Sequence, residues 1–158
     1  MSTEINDVKL EYSPEKCFYD INFNGVDLDP ATNLITAVNI ALFTDGRSRN
    51  DDVIPNSRGW AGDTLNETEE PGIGSRLWLL TQRKITQQLL NDMQEYATEA
   101  LQQFIDSGIA KSISVEALVL DNINGLIELR VEIVNPDNEL QQFKYVWDQL
   151  KQRFRGGV

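Results

Sequence analysis

The chain has 158 residues, 41% of them apolar and 25% charged, with a net charge of −11 at neutral pH. That length suits one domain, which buries roughly 70% of its unfolded surface without a disulfide or metal. The acidity argues against nucleic-acid and anionic-membrane partners, which need clustered Lys and Arg. There is one cysteine and no histidine, so an internal disulfide and the usual neutral-pH catalytic base are both excluded.

The charge is unevenly spread. Residues 1–70 carry fourteen acidic and five basic side chains, a net of −9, and residues 71–158 a net of −2. The opening Met1-Ser2-Thr3-Glu4-Ile5-Asn6-Asp7 has neither the basic nor the apolar region of a signal peptide. No run approaches the ~20 apolar residues of a membrane span. Asn66-Glu67-Thr68 fits a glycosylation sequon, which without a secretory signal reads as chance.

Taken in chain order, Cys17 to Phe23 alternates loosely and ends in Asn24-Gly25, a hairpin signal. Leu34, Val38, Ala41 and Leu42 share one helical face, with Thr32 or Asn33 as a cap. The β-branched Ile35, Thr36, Val38 and Ile40 leave a strand open as the alternative. Residues 44–75 hold Asp45-Gly46, Pro55, Gly59, Gly62, Pro71, Gly72 and Gly74, and show no periodicity. An irregular stretch of that length is usually functional. Its one bulky aromatic, Trp60, must fold back onto the body or meet a partner.

Order restarts at Gly74-Ser75-Arg76-Leu77-Trp78-Leu79-Leu80. A long helix is expected over 86–107, with Leu90, Met93, Ala97, Ala100, Leu101, Phe104 and Ile105 on its apolar stripe. Gln87, Gln88, Asn91, Glu95, Glu99 and Gln102 occupy the wet side. Gly108 stands at the left-handed cap position. The last third reads as an antiparallel meander. Ile113, Val115, Ala117 and Val119 alternate with Ser114, Glu116 and Leu118, then come Ile127, Leu129, Val131 and Ile133 alternating with Glu128, Arg130 and Glu132, then Phe143, Tyr145 and Trp147 on one face. Three strands with one apolar face need a cover, and the long helix supplies it. The expected fold class is α+β in a single domain over 1–158, with an N-terminal hairpin and helix. Residues 149–158 are a basic tail that either adds a strand or frays.

Catalytic provisions are thin. Cys17 lies beside Phe18 and Tyr19 and reads as a packed thiol. Gly72-Ile73-Gly74-Ser75-Arg76 fails both nucleotide-binding fingerprints. Asp45, Asp51, Asp52, Glu67, Glu69 and Glu70 could pair for glycoside cleavage. They read instead as a solvated acidic loop, since no apolar pocket is evident to raise an acid's pKa. Asp45–Asp52 also lacks the calcium-loop pattern. No catalytic residue, metal or cofactor is expected. Arg and Trp are frequent interface anchors, so Arg58, Trp60, Arg76, Trp78, Arg153 and Arg155 are the partner-binding candidates. Arg76 and Trp78 have the alternative of bracing the helix entry.

Several segments form an ordered set: Leu34…Thr36-Ala37-Val38…Leu42-Phe43-Thr44-Asp45, Arg58-Gly59-Trp60…Gly62-Asp63, Gly74 to Leu80, Tyr96-Ala97…Glu99-Ala100-Leu101, and Pro136-Asp137…Phe143…Tyr145. Over about three-quarters of the chain this set resembles the small baseplate proteins of Mu-like phages and prophages. That group is in turn similar to the baseplate wedge protein of larger contractile-tailed phages that carries a lysozyme label. The resemblance implies a structural role in the virion tail, assembled in the host cytoplasm. Its partners would be other wedge proteins and the tail sheath, with sheath assembly begun by strand addition. The larger group carries Glu-Pro-Arg after the long helix, whereas this chain has Ile105-Asp106-Ser107-Gly108-Ile109, so docking geometry does not transfer. A tail-associated glycosidase, degenerate or active, and a binding module outside phages stand as alternatives.

Overall fold

The computed structural model describes residues 7–8, 10–13, 18–21, 30–31, 34–54, 58–62, 72–151 and 153–156, with backbone alone for 7–31 and 155–156. Readings placed on Cys17, Asn24-Gly25, Thr32, Asn33, Glu67, Glu69 and Glu70 lie outside the described residues.

The body is an antiparallel sheet of strands β5 (Ser112–Asp121), β6 (Leu126–Val134), β7 (Leu140–Asp148) and β8 (Arg153–Gly156), in that spatial order. Period-two alternation sets its register. Val115 pairs with Val131 and Val131 with Phe143, while Leu129 pairs with Tyr145. Apolar side chains therefore line up across the strands on one face. Ile127, Leu129, Val131 and Ile133 are fully buried, each contributing roughly 1.5–3 kcal/mol relative to exposure.

Helix α2 (Gln87–Asp106) covers this face, burying Leu89, Leu90, Met93, Ala97, Ala100, Leu101 and Phe104. Its ends obey capping chemistry. The Thr86 hydroxyl accepts the Leu89 N–H at 3.2 Å, supplying one of the orphan donors of the first turn. At the other end Gly108 takes φ +74°. Its N–H donates to the Ile105 carbonyl at 3.0 Å, and the Ala110 N–H donates to the Phe104 carbonyl at 2.8 Å. The turn thus satisfies the last carbonyls in the conformation that glycine adopts most readily.

The segment left open between helix and strand is a helix, α1 (Ile35–Phe43). Burial on most of its circumference outweighs its β-branched content. Its N-cap is Leu34, without a side-chain cap bond. The Tyr145 hydroxyl donates to Asn39 Oδ1 at 2.8 Å in the interior, which pins α1 to β7. Phe43 meets Tyr145 edge-on at 5.0 Å between ring centres.

One expectation changes. The sheet has four strands, because part of the basic tail is β8, whose Phe154 pairs with Trp147. The hairpin near the start joins β2 (Leu10–Ser13) to β3 (Phe18–Ile21). The described part of the alternating run, Phe18–Ile21, pairs with the strand before it. The short strands β1 (Asp7–Val8) and β4 (Pro30–Ala31) pair antiparallel. No described helix is long and apolar enough to cross a membrane.

Candidate partner-binding site

The irregular stretch is tied off where it leaves and rejoins the body. Gly46 N–H donates to the Ser75 carbonyl at 2.8 Å, and Ser75 N–H to the Thr44 carbonyl at 2.9 Å. The Ser75 hydroxyl donates to the Leu42 carbonyl at 2.5 Å and accepts the Leu77 N–H. A hydroxyl that both donates and accepts links the end of α1 to the short 3-10 helix Leu77–Leu80. Gly74 sits at φ +112°, and a Cβ there would lie 2.5 Å from the Thr44 carbonyl oxygen. Any other residue would meet a clash and a disfavoured backbone at once.

Arg76 opens the 3-10 helix and is buried. Its Nη1 donates to Asp52 Oδ1 at 2.8 Å and its Nη2 to Glu99 Oε2 at 2.6 Å. The guanidinium also lies 4.1 Å from the centre of the Tyr96 ring, within cation–π range. Arg49 closes the circuit. Its backbone N–H donates to Asp52 Oδ2 at 2.6 Å, and its guanidinium bonds Glu99. Burial opposes the Arg76 charge, but the Glu99 hydrogen bond and the charges of Glu99 and Asp52 outweigh it, so the Arg76 pKa is raised. Burial raises the Tyr96 pKa, against the lowering effect of Arg76.

This corrects two sequence readings. Asp52 is not a solvated loop acid: its side chain is 6% exposed. Glu99 is not simply on the wet side of α2, since it holds two arginines. Neither role has a local sequence signal, because the partners lie 24 and 23 residues away from Arg76.

Three of the other candidates, Arg58, Trp78 and Arg153, gather around the Trp78 side of the 3-10 helix. Arg58 takes φ +59°, uncommon for a residue with a side chain. Its Nη1 bonds Asp45 Oδ2 at 2.5 Å, and its guanidinium stacks 4.4 Å from the centre of the Trp78 indole. Trp78 Nε1 donates to the Gly46 carbonyl at 2.9 Å. Trp60 is 48% exposed, its ring against Gly62. An apolar cleft of about 250 Å³ opens beside Trp78, walled by Leu42, Phe43, Leu77, Trp147 and Phe154, with Asp45 and Arg153 also lining it. Phe154 packs 4.8 Å from Trp147 and 4.9 Å from Phe43 between ring centres. Arg153 and Arg155 are residues of β8, paired with Asp148 and Val146. The fold thus brings Arg58, Trp78 and Arg153 to one neighbourhood and sends the Arg76 guanidinium to the other side. Asp45, Phe43 and Phe154 are additional members that the sequence reading missed. The alternation of Phe154 between two arginines was the one available signal.

Residues 34–140 match the family described as phage protein GP46. The chain is 35% identical over 130 residues to baseplate protein gp46 of Escherichia phage Mu, covering 80% of this chain and 86% of that protein. It is 36% identical over 115 residues to the Mu-like prophage FluMu protein gp46 of Haemophilus influenzae, covering 73% and 79%. With the matched span running from the start of α1 to the start of β7, the chain belongs to the phage protein GP46 family of Mu-like baseplate proteins.

Proposed function

We propose that this chain is a non-catalytic structural component of a contractile-tail baseplate, which binds wedge subunits and offers a strand edge on which the sheath begins to assemble. The observation that carries the baseplate role is the identity to the Mu baseplate protein across four-fifths of the chain. In this reading Arg58, Trp60, Trp78, Arg153 and Arg155 face partners, and Arg76 positions the loop that carries Arg58 and Trp60. The strand-edge part is supported by β5. It is ten residues long and pairs only with β6 among the described strands. Unpaired N–H and C=O groups on an edge accept an added strand. One outward carbonyl, that of Val115, is taken by Gln94 Nε2 at 3.3 Å. By antiparallel alternation the backbone groups of Ala117 and Val119 face the same way; Ala117 is buried and Val119 exposed, so the Val119 end of the edge is the part accessible to a partner.

The test uses two variants in complete tails. Val119→Pro removes an outward N–H, which an edge strand tolerates, and Trp60→Ala removes the exposed indole. Both are expected to fold, by circular dichroism, and to lower the yield of sheathed, infective particles. Fully sheathed particles from both would end this reading. The same reading expects no peptidoglycan hydrolysis. Turnover abolished by Gln at Glu67, Glu69 or Glu70 would restore the glycosidase alternative.

A further inference from the structure

The cleft beside Trp78 has walls and charges suited to a particular guest. Its apolar wall comes from α1, the 3-10 helix, β7 and β8: Leu42, Phe43, Leu77, Trp78, Trp147 and Phe154. At about 250 Å³ it falls below the roughly 300–1,000 Å³ usual for cofactors and drug-sized ligands. The space suits a large apolar side chain inserted from outside.

The two charged residues that line the cleft among the described residues, Asp45 and Arg153, are not equivalent. The Asp45 carboxylate is already paired with Arg58 at 2.5 Å, so that charge is spoken for. Arg153 makes no ion pair with any described residue. Its Nε is shut off from solvent and has no hydrogen-bond partner. A guanidinium carries five donors and no acceptor, and a carboxylate is the group that matches it in charge and shape. The uncommitted charge at this cleft is therefore positive, although the chain as a whole is −11. The overall repulsion of an acidic guest is screened beyond about 8 Å at physiological salt, so short-range pairing decides recognition.

We propose that this cleft takes a segment of a partner protein in which a large apolar side chain is followed by Asp or Glu, the apolar group filling the aromatic walls and the carboxylate pairing with Arg153. The source of that segment, another tail protein, rests on the baseplate reading; the chemistry of recognition does not.

The experiment titrates the isotope-labelled full chain with three blocked tetrapeptides, Ala-Phe-Glu-Ala, Ala-Phe-Lys-Ala and Ala-Ala-Glu-Ala, while following the indole N–H resonances of Trp78 and Trp147. The first peptide is expected to shift both signals with a Kd of about 1 mM or tighter, and each control to bind at least roughly tenfold more weakly. Arg153→Met is expected to bring the first peptide down to the level of the lysine control, with Arg153→Lys between the two. Circular dichroism and the urea midpoint establish that each variant is folded. Should Arg153→Met fail to fold, the comparison of glutamate and lysine peptides on the unaltered chain still decides. The proposal is overturned by equal binding of both Phe peptides, by shifts confined to other residues, or by no response up to about 10 mM. It is also overturned if these signals respond only to protein concentration, which would make the guest a second copy of this chain. No tail component is present in this assay, so its failure leaves the baseplate reading standing. Loss of the baseplate reading in the particle assay would leave a positive peptide result intact.

Discussion

Replacing Arg76 by Met isolates the ionic contacts of the buried arginine from its bulk. Methionine keeps apolar contact with Tyr96 but loses the hydrogen bonds to Asp52 and Glu99. The two carboxylates then fare differently. Glu99 is 33% exposed and retains Arg49, so its loss resembles that of a surface pair, about 0–1 kcal/mol. Asp52 is 6% exposed and retains only the Arg49 backbone N–H among its donors here. Orphaning one partner of a buried pair costs roughly 3–5 kcal/mol. The remaining hydrogen bond, and the freedom of a loop acid to swing outward, place the sum near the lower end, at about 3 kcal/mol. That is a sizeable part of the 5–15 kcal/mol typical of a domain. Removing the carboxylate charge as well should restore part of the loss, because paired buried charges can be replaced together at little cost. The assay is urea unfolding followed by tryptophan fluorescence, with the slope compared to confirm a common unfolding transition. Arg76→Met should lower stability by about 3 kcal/mol, and Arg76→Met with Asp52→Asn by less than the sum of the single changes, with a coupling above about 0.5 kcal/mol. A loss below about 1 kcal/mol, or strict additivity, would refute the network as a fastening of the loop.

Leu101 is fully buried on α2, so Leu101→Ala should cost about 2–5 kcal/mol by its urea midpoint, and Leu101→Asp, which buries an unpaired charge, should destabilise strongly, read by loss of the folded circular-dichroism signal. Gly74→Ala should destabilise by more than about 1 kcal/mol in the same assay, since its added Cβ meets the Thr44 carbonyl at positive φ. Asp121 accepts the Asn124 backbone N–H, the Asn124 side-chain amide and the Ile123 N–H, in that order of effect, and these hold its pKa below the ordinary value. A depressed carboxylate stabilises the fold above its unfolded pKa, and that contribution fades as pH falls through the folded pKa. Asp121→Asn should therefore be less stable than the parent at neutral pH, with the gap closing in acid; a gap that widens in acid would contradict the assignment.

What the sequence made legible follows from the range of the interactions concerned. Strands β6 and β7 and helix α2 bury one face each, and one-sided burial writes a period into the chain that reads directly as two or as 3.6. Strand β8 was harder because four residues are too few to tell alternation from chance. Its place is decided by Phe154 reaching Trp147 and Phe43, one of them more than a hundred residues earlier. Helix α1 carried a mixed signal for a different reason. A helix buried around most of its surface loses the polar stripe that would have announced it.

The two arginines of the central stretch show the limit most clearly. Arg58 and Arg76 each stand near glycine and tryptophan, in Arg58-Gly59-Trp60 and Gly74-Ser75-Arg76-Leu77-Trp78. Both qualify as interface anchors by residue type. Yet Arg76 is enclosed by Asp52, Glu99 and Tyr96, while Arg58 stays exposed in a left-handed conformation over Trp78. The difference lies in the backbone around Gly74 and Ser75, which bridges Asp45 to Ser75 and leads straight into the 3-10 turn Leu77–Leu80, where side chains two residues apart point roughly 120° away from one another. Arg76 then faces α2 and Trp78 faces the cleft. A residue's chemistry is written in the sequence, but whether that chemistry is satisfied at home or left for a partner depends on contacts that close over twenty residues or more.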